Sequence, residues 1–97
     1  MASPVEIYAE MGTTHRAFFR TLVNAVEGRP YTVIGQHILI KDGDRTIEVD
    51  LSDEWRRHIA TISMPVTNVT WRFIGHTQAE AEAIKGRFDI FFRRGGG

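Results

Sequence analysis

The sequence predicts an α+β two-layer sandwich with element order β-α-β-β-β-β-α, an antiparallel sheet carrying both helices on one face. Three observations predict it. Val5, Ile7, Ala9 and Met11 alternate with Glu6, Tyr8 and Glu10, the two-residue period of a strand with one wet face. Phe18, Phe19, Leu22, Val23 and Val26 recur at helical spacing, as do Ala81, Ile84, Phe88 and Phe91 near the C-terminus, where Phe92 widens the stripe. Between these stretches the two-residue period returns in two runs broken by turn residues, which reads as two hairpins.

Taken in order, the first strand stops at Gly12. A helix follows from about Thr14 to Glu27, with Arg16, Arg20, Asn24 and Glu27 on its polar side. Gly28 ends it and Pro30 prevents its continuation. The run "YTVIGQHILIKDGDRTIEVDL" reads as one hairpin turning at Asp42 and Gly43, because Asp-Gly between apolar alternations favours a two-residue turn. Lys41 then stands opposite Asp44, Ile38 meets Ile47, Ile34 meets Leu51, and His37 meets Glu48. A three-residue loop would set Ile38 against Glu48 and mix the two faces. A second hairpin with residues 65–68 in its loop pairs Met64 with Val69, Ile62 with Trp71, and Ala60 with Phe73. From Thr77 the second helix runs to Arg93 and Arg94, whose charges suit a helix C-terminus. The reading is a single domain over residues 1–94 and a disordered tail over 95–97. This order resembles the topology of one half of the TATA-binding-protein fold, a likeness of topology that brings no motif and no DNA-binding residues with it.

Composition narrows the function classes. Ninety-seven residues, 42% of them hydrophobic and 25% charged, describe one globular domain. The absence of cysteine excludes disulfides, thiolate zinc sites and a cysteine nucleophile, and suits a reducing cytoplasm, the expected location. No stretch approaches the ~20 apolar residues of a membrane span. Twelve basic and twelve acidic residues cancel, so the field that announces many nucleic-acid binders is missing. The acidic residues concentrate over 42–54 and the basic ones over 84–94. An RNA or DNA surface around Arg16, Arg20, Arg87 and Arg94 is the weakest of the readings for that reason.

No catalytic constellation is legible. Ser3, Ser52 and Ser63 sit in no nucleophile motif, and His15, His37, His58 and His76 have no metal-ligand spacing, so no metal and no cofactor is expected. Two turns share a grammar, "MGTTH" and "FIGHTQAE". In each a strand ends, glycine turns, and threonine and histidine stand at a helix start. Thr77 with Glu80 three residues on is a capping box. Free N–H groups at such starts also favour anions, which makes Thr14, His15, Gly75, His76 and Thr77 the candidate anion-binding residues.

The open sheet face offers the other candidate. Leu39, Ile59 and Ile74 are apolar residues expected to point outward, Arg72 lies among them, and Trp55 stands in the charged connector "SDEWRRH", where a large aromatic either packs under the sheet edge or meets a partner. The expected function is a non-enzymatic interaction module that self-associates, or binds another protein, through Leu39, Trp55, Ile59, Arg72 and Ile74. The alternative is a small ligand-binding or enzymatic domain holding an anion at the helix N-termini.

Overall fold

In the computed structural model, which describes residues 3–95, the chain runs β1 (Val5–Met11), α1 (His15–Ala25), β2 (Tyr31–Ile34), β3 (His37–Asp42), β4 (Arg45–Leu51), β5 (Trp55–Ile59), β6 (Ile62–Ile74) and α2 (Gln78–Gly95). The α+β class, the element order and the antiparallel sheet hold, with one strand more than expected. The run from Tyr31 folds in two at Gly35 and Gln36, setting Ile34 opposite His37 rather than Leu51. Gly35 has φ 61°, the left-handed backbone that a tight reversal needs and glycine takes without strain. The sheet order is β1-β6-β4-β3-β2. Gly95 lies within α2, and residues 96–97 of the expected tail lie outside the described residues.

Register decides which side chains are buried. The turn between β3 and β4 is two residues long as expected, but its central pair is Gly43 and Asp44. Asp42 therefore faces Arg45, Ile40 faces Ile47, Ile38 faces Val49 and His37 faces Asp50. The slip from the expected register is two residues, so both faces survive: Ile38, Ile40, Ile47, Val49 and Leu51 all point into the core. Val69, Trp71 and Phe73 of β6 join them from the sheet, and Phe18, Leu22, Ala81, Phe88 and Phe92 from the helices. Trp71 lies fully buried at the centre, its ring stacked on Phe88 with centroids 5.1 Å apart and tilted against Phe18 at 6.1 Å. Phe18 stacks on Phe92 at 4.7 Å, while Arg87 grips Glu27 with two hydrogen bonds of 2.9 and 3.0 Å, so the helices lie antiparallel.

The second expected hairpin is corrected. Pro65 and its neighbours do not turn; β6 continues through them as a single strand, and the reversal occurs at Ala60 and Thr61. Ile59 faces Ile62, Arg57 faces Met64 and Trp55 faces Val66. Pro65 lacks an N–H for the ladder. A strand with an open edge tolerates it, and β1 ends where Met11 faces Thr67, short of Pro65. The Ala60 reversal carries no turn residue, and Ala60 adopts φ 53°. Ile62 and Met64 consequently leave the core side that they were expected to share with Trp71.

Where β4 gives way to β5 the ladder slips by one. Leu51 faces Val69 and Trp55 faces Val66, so residues 52–54 oppose only Thr67 and Asn68, the signature of a β-bulge. β5 and the first part of β6 thus form a two-stranded arm beyond the helix-covered sheet. The molecule measures 48 × 24 × 24 Å, and the five-residue β5 by itself spans about 17 Å.

Candidate interaction surface

Paired residues of antiparallel strands point to the same side, so Trp55, Arg57 and Ile59 share one face of the arm with Val66, Met64 and Ile62. Arg56 and His58 share the other with Pro65 and Ser63. The first face continues the open, helix-free face of the sheet: Trp55 Nε1 donates to Asn68 Oδ1 at 2.9 Å, and Arg57 bonds Glu10 at 2.6 Å, Glu10 and Asn68 being cross-strand partners. Arg57 also lies 5.3 Å from the Trp55 ring centroid, a cation–π contact. Trp55 is therefore the first residue of a strand, not part of a connector, and the residue is 37% exposed rather than sunk beneath the sheet edge.

The bulge fastens this arm to the body. Ser52 N–H donates to the Asn68 carbonyl and Ser52 Oγ accepts from Asn68 N–H, both at 2.9 Å. The Ser52 carbonyl lies 2.7 Å from His15 Nε2, and Glu54 accepts the His15 N–H at 2.9 Å. Thr67 Oγ1, fully buried, donates to the Thr13 carbonyl at 2.9 Å. On the arm's other face Arg56 donates to Ser63 Oγ at 2.6 Å and to the Ser63 carbonyl at 3.1 Å. A two-stranded ribbon alone is marginal in water, and these bonds are what hold it in shape.

Among the described residues nothing covers the outward face of the arm near its tip. Ile59 is 56% exposed, Ile62 59% and Met64 40%. With Trp55 they present roughly 400 Å² of exposed surface, backbone included, the size of the largest apolar patch on an ordinary monomer. Three exposed apolar residues at the opposite sheet edge, Tyr31, Val33 and Ile34, belong to a strand of only four residues, a length that itself limits edge pairing.

The expected partner surface is thus divided. Trp55 and Ile59 lie on the arm, joined by Ile62 and Met64, which the sequence reading had placed inside. Arg72 lies in the body and is fully engaged, bonded to Asp50, to Glu6 at 3.1 Å and near Glu48 at 3.5 Å. His37 Nδ1 meets Asp50 at 2.5 Å. The bonds from His37 and then Arg72 hold the Asp50 carboxyl below the ordinary value, and Asp50 in turn raises the Arg72 guanidinium. Leu39 is half-buried between Glu48 and Thr32. Ile74 lies eight residues beyond Val66 along β6, roughly 27 Å from the Trp55 row.

The helix starts carry their own carboxylates. At α1, Thr14 Oγ1 accepts the Ala17 N–H at 3.1 Å and Glu54 takes that of His15. At α2 the capping box is complete: Thr77 N–H donates to Glu80 at 2.8 Å and Glu80 N–H to Thr77 Oγ1 at 3.1 Å. The Thr77 backbone bond first, and Arg45 second, lower the Glu80 carboxyl from 4.5 to about 2. Gly75 leaves room for Arg45, whose Cγ would lie 3.1 Å from a Cβ at that position. His76 is buried, its Nε2 2.8 Å from Asp42, and Asp42 also takes the Arg29 Nε–H at 2.9 Å. Those two bonds, Arg29's the larger, hold the Asp42 carboxyl below its ordinary value. The two starts lie at the middle and the C-terminal end of β6, Met11 facing Thr67 and Thr46 facing Ile74, about 24 Å apart, so the five candidate anion-binding residues do not converge.

Ser52 and Ser63 spend their hydroxyls on the bulge and on Arg56, and among the described residues no His, Asp and Glu side chains gather as a metal site requires. Arg16 and Arg20 lie exposed on α1, Arg87 is taken by Glu27, and the side chain of Arg94 lies outside the described residues. Among the described residues no helix is long and apolar enough to cross a membrane. No protein-family model matches the chain, and no curated protein is significantly similar to it. Function is therefore read from the surfaces alone.

Proposed function

We propose that this protein is a self-associating interaction module of the cytoplasm, and that its contact is the outward face of the hairpin arm meeting the same face of a second copy. The observation that carries the reading is the group of Met64, Ile59 and Ile62, with Trp55 beneath Arg57 at its base, aligned on one side of a ribbon and exposed at its tip.

Two arguments favour a second copy as the occupant. A contact across a two-fold axis needs a self-complementary patch, and this one is apolar with its Arg57 already paired to Glu10 at 2.6 Å, so closing two copies buries no unpaired charge. Two such faces together offer roughly 800 Å², below the ~1,200 Å² of standard interfaces and the size of a weak, concentration-dependent contact. The arm's cations are already engaged, Arg57 by Glu10 and Trp55 and Arg56 by Ser63, which favours a protein surface over a phosphate backbone.

Sedimentation velocity over a range of protein concentrations tests this. The wild-type chain is expected to reach a dimer, and Ile59→Lys combined with Ile62→Lys to remain a monomer with an unchanged circular dichroism spectrum. A wild-type monomer at all concentrations would falsify the reading.

A further inference from the structure

From the same arm, and resting on the self-association reading, we infer that Met64 is an oxidation site that controls the contact. Arg57 and Met64 form the middle row of the outward face, between Ile59 with Ile62 at the tip and Trp55 with Val66 at the base. Met64 is therefore the centre of the patch, and the residue is 40% exposed in the free chain. The chain has no cysteine to compete for oxidant. Met11, by contrast, packs against the core.

The chemistry is a two-electron oxygen transfer from a peroxide. The sulfur lone pair attacks the peroxide oxygen, the O–O bond breaks, and the products are methionine sulfoxide and water, with sulfur oxidised and peroxide reduced. The product replaces a soft apolar group by a strongly dipolar S=O acceptor. At the centre of a closing interface that acceptor must lose its water. Directly opposite stands Arg57, whose guanidinium can donate to the new oxygen and leave its place over Trp55 and against Glu10. Both effects oppose association. In the dimer Met64 is covered, so oxidation proceeds through the monomer and slows as protein concentration rises.

The test treats the full chain with hydrogen peroxide, locates the added oxygen by peptide mass mapping, and measures the dimer dissociation constant by sedimentation velocity. Wild type is expected to gain oxygen at Met64 before Met11, faster in dilute than in concentrated protein, and to associate at least tenfold more weakly afterwards. Met64→Leu is expected to dimerise before and after treatment alike. An untreated dimer that survives complete oxidation of Met64 overturns this inference alone, as does preferential oxidation of Met11 or equal loss of association in Met64→Leu. An untreated monomer overturns the self-association reading and takes this inference with it.

Discussion

Strand β6 passes through two environments in thirteen residues. Its second half places Val69, Trp71 and Phe73 fully inside, beneath both helices; its first half leaves Ile62, Ser63 and Met64 in water. Both halves alternate and both pair with a neighbour. The second layer is what differs. An apolar strand face is buried when helices lie over it, and without them the same pattern is left exposed at the tip.

The most damaging way to probe that contrast is Trp71→Ala, which empties the space against Phe18, Phe88 and Phe92. A loss of about 3–5 kcal/mol is expected in urea denaturation, whereas Met64→Ala is expected to cost less than about 0.5 kcal/mol. Equal losses would mean that the arm is folded into the body's core after all.

Next in size is Asp42→Ala. This carboxylate joins Arg29, at the exit from α1, to His76, at the entry to α2, and its removal strands a buried imidazole and a guanidinium. About 2 kcal/mol of stability should go, with no change in the association of the arm.

Acid titration gives a third, smaller contrast. The native Asp42, Asp50 and Glu80 carboxyls lie below their ordinary values, so their stabilising effect is complete above those values and fades as pH falls. For Glu80 the window runs from 4.5 down to about 2. Glu80→Gln should flatten the decline of melting temperature across that range. An unchanged slope would show that the cap at α2 contributes nothing to acid sensitivity.

The smallest effect is expected at the arm's tip. Glycine accepts φ 53° more readily than Ala60 does, and Ala60→Gly should tighten the reversal by no more than about 1 kcal/mol, less the added freedom of the unfolded chain. Slower hydrogen exchange at Ile59 and Ile62, with β6 amides near Trp71 unchanged, is the readout.

These differences also explain what was legible in advance. Both helices, the capping box at Thr77 and Glu80, and the inward set from Ile38 to Leu51 follow from periodicity and turn chemistry, and a slip of two residues in the first hairpin left the buried set intact. The arm was not legible for three local reasons. Ala60 takes a backbone conformation that favours glycine, so the true reversal has no marker. Pro65 imitates a loop although it lies in a strand with a free edge. The extra residue within 52–54 also breaks the numbering of faces: Ile47, Val49 and Leu51 are odd and point inward, while Trp55, Arg57 and Ile59 are odd and point outward. Of the candidate surface, Trp55 and Ile59 could be picked out as apolar residues in an otherwise charged stretch. Their neighbours Ile62 and Met64 could not, until the true reversal joined the two strands.

That spare residue is also an elbow. It sets the direction in which the ribbon leaves the slab, while the pairing beyond it is dictated from the tip. Trimming the elbow by one residue would leave Trp55 opposite Val66 and every greasy group on its present flank, yet aim them along a different line. Deleting a single codon could thus redirect the patch without changing any residue that forms it.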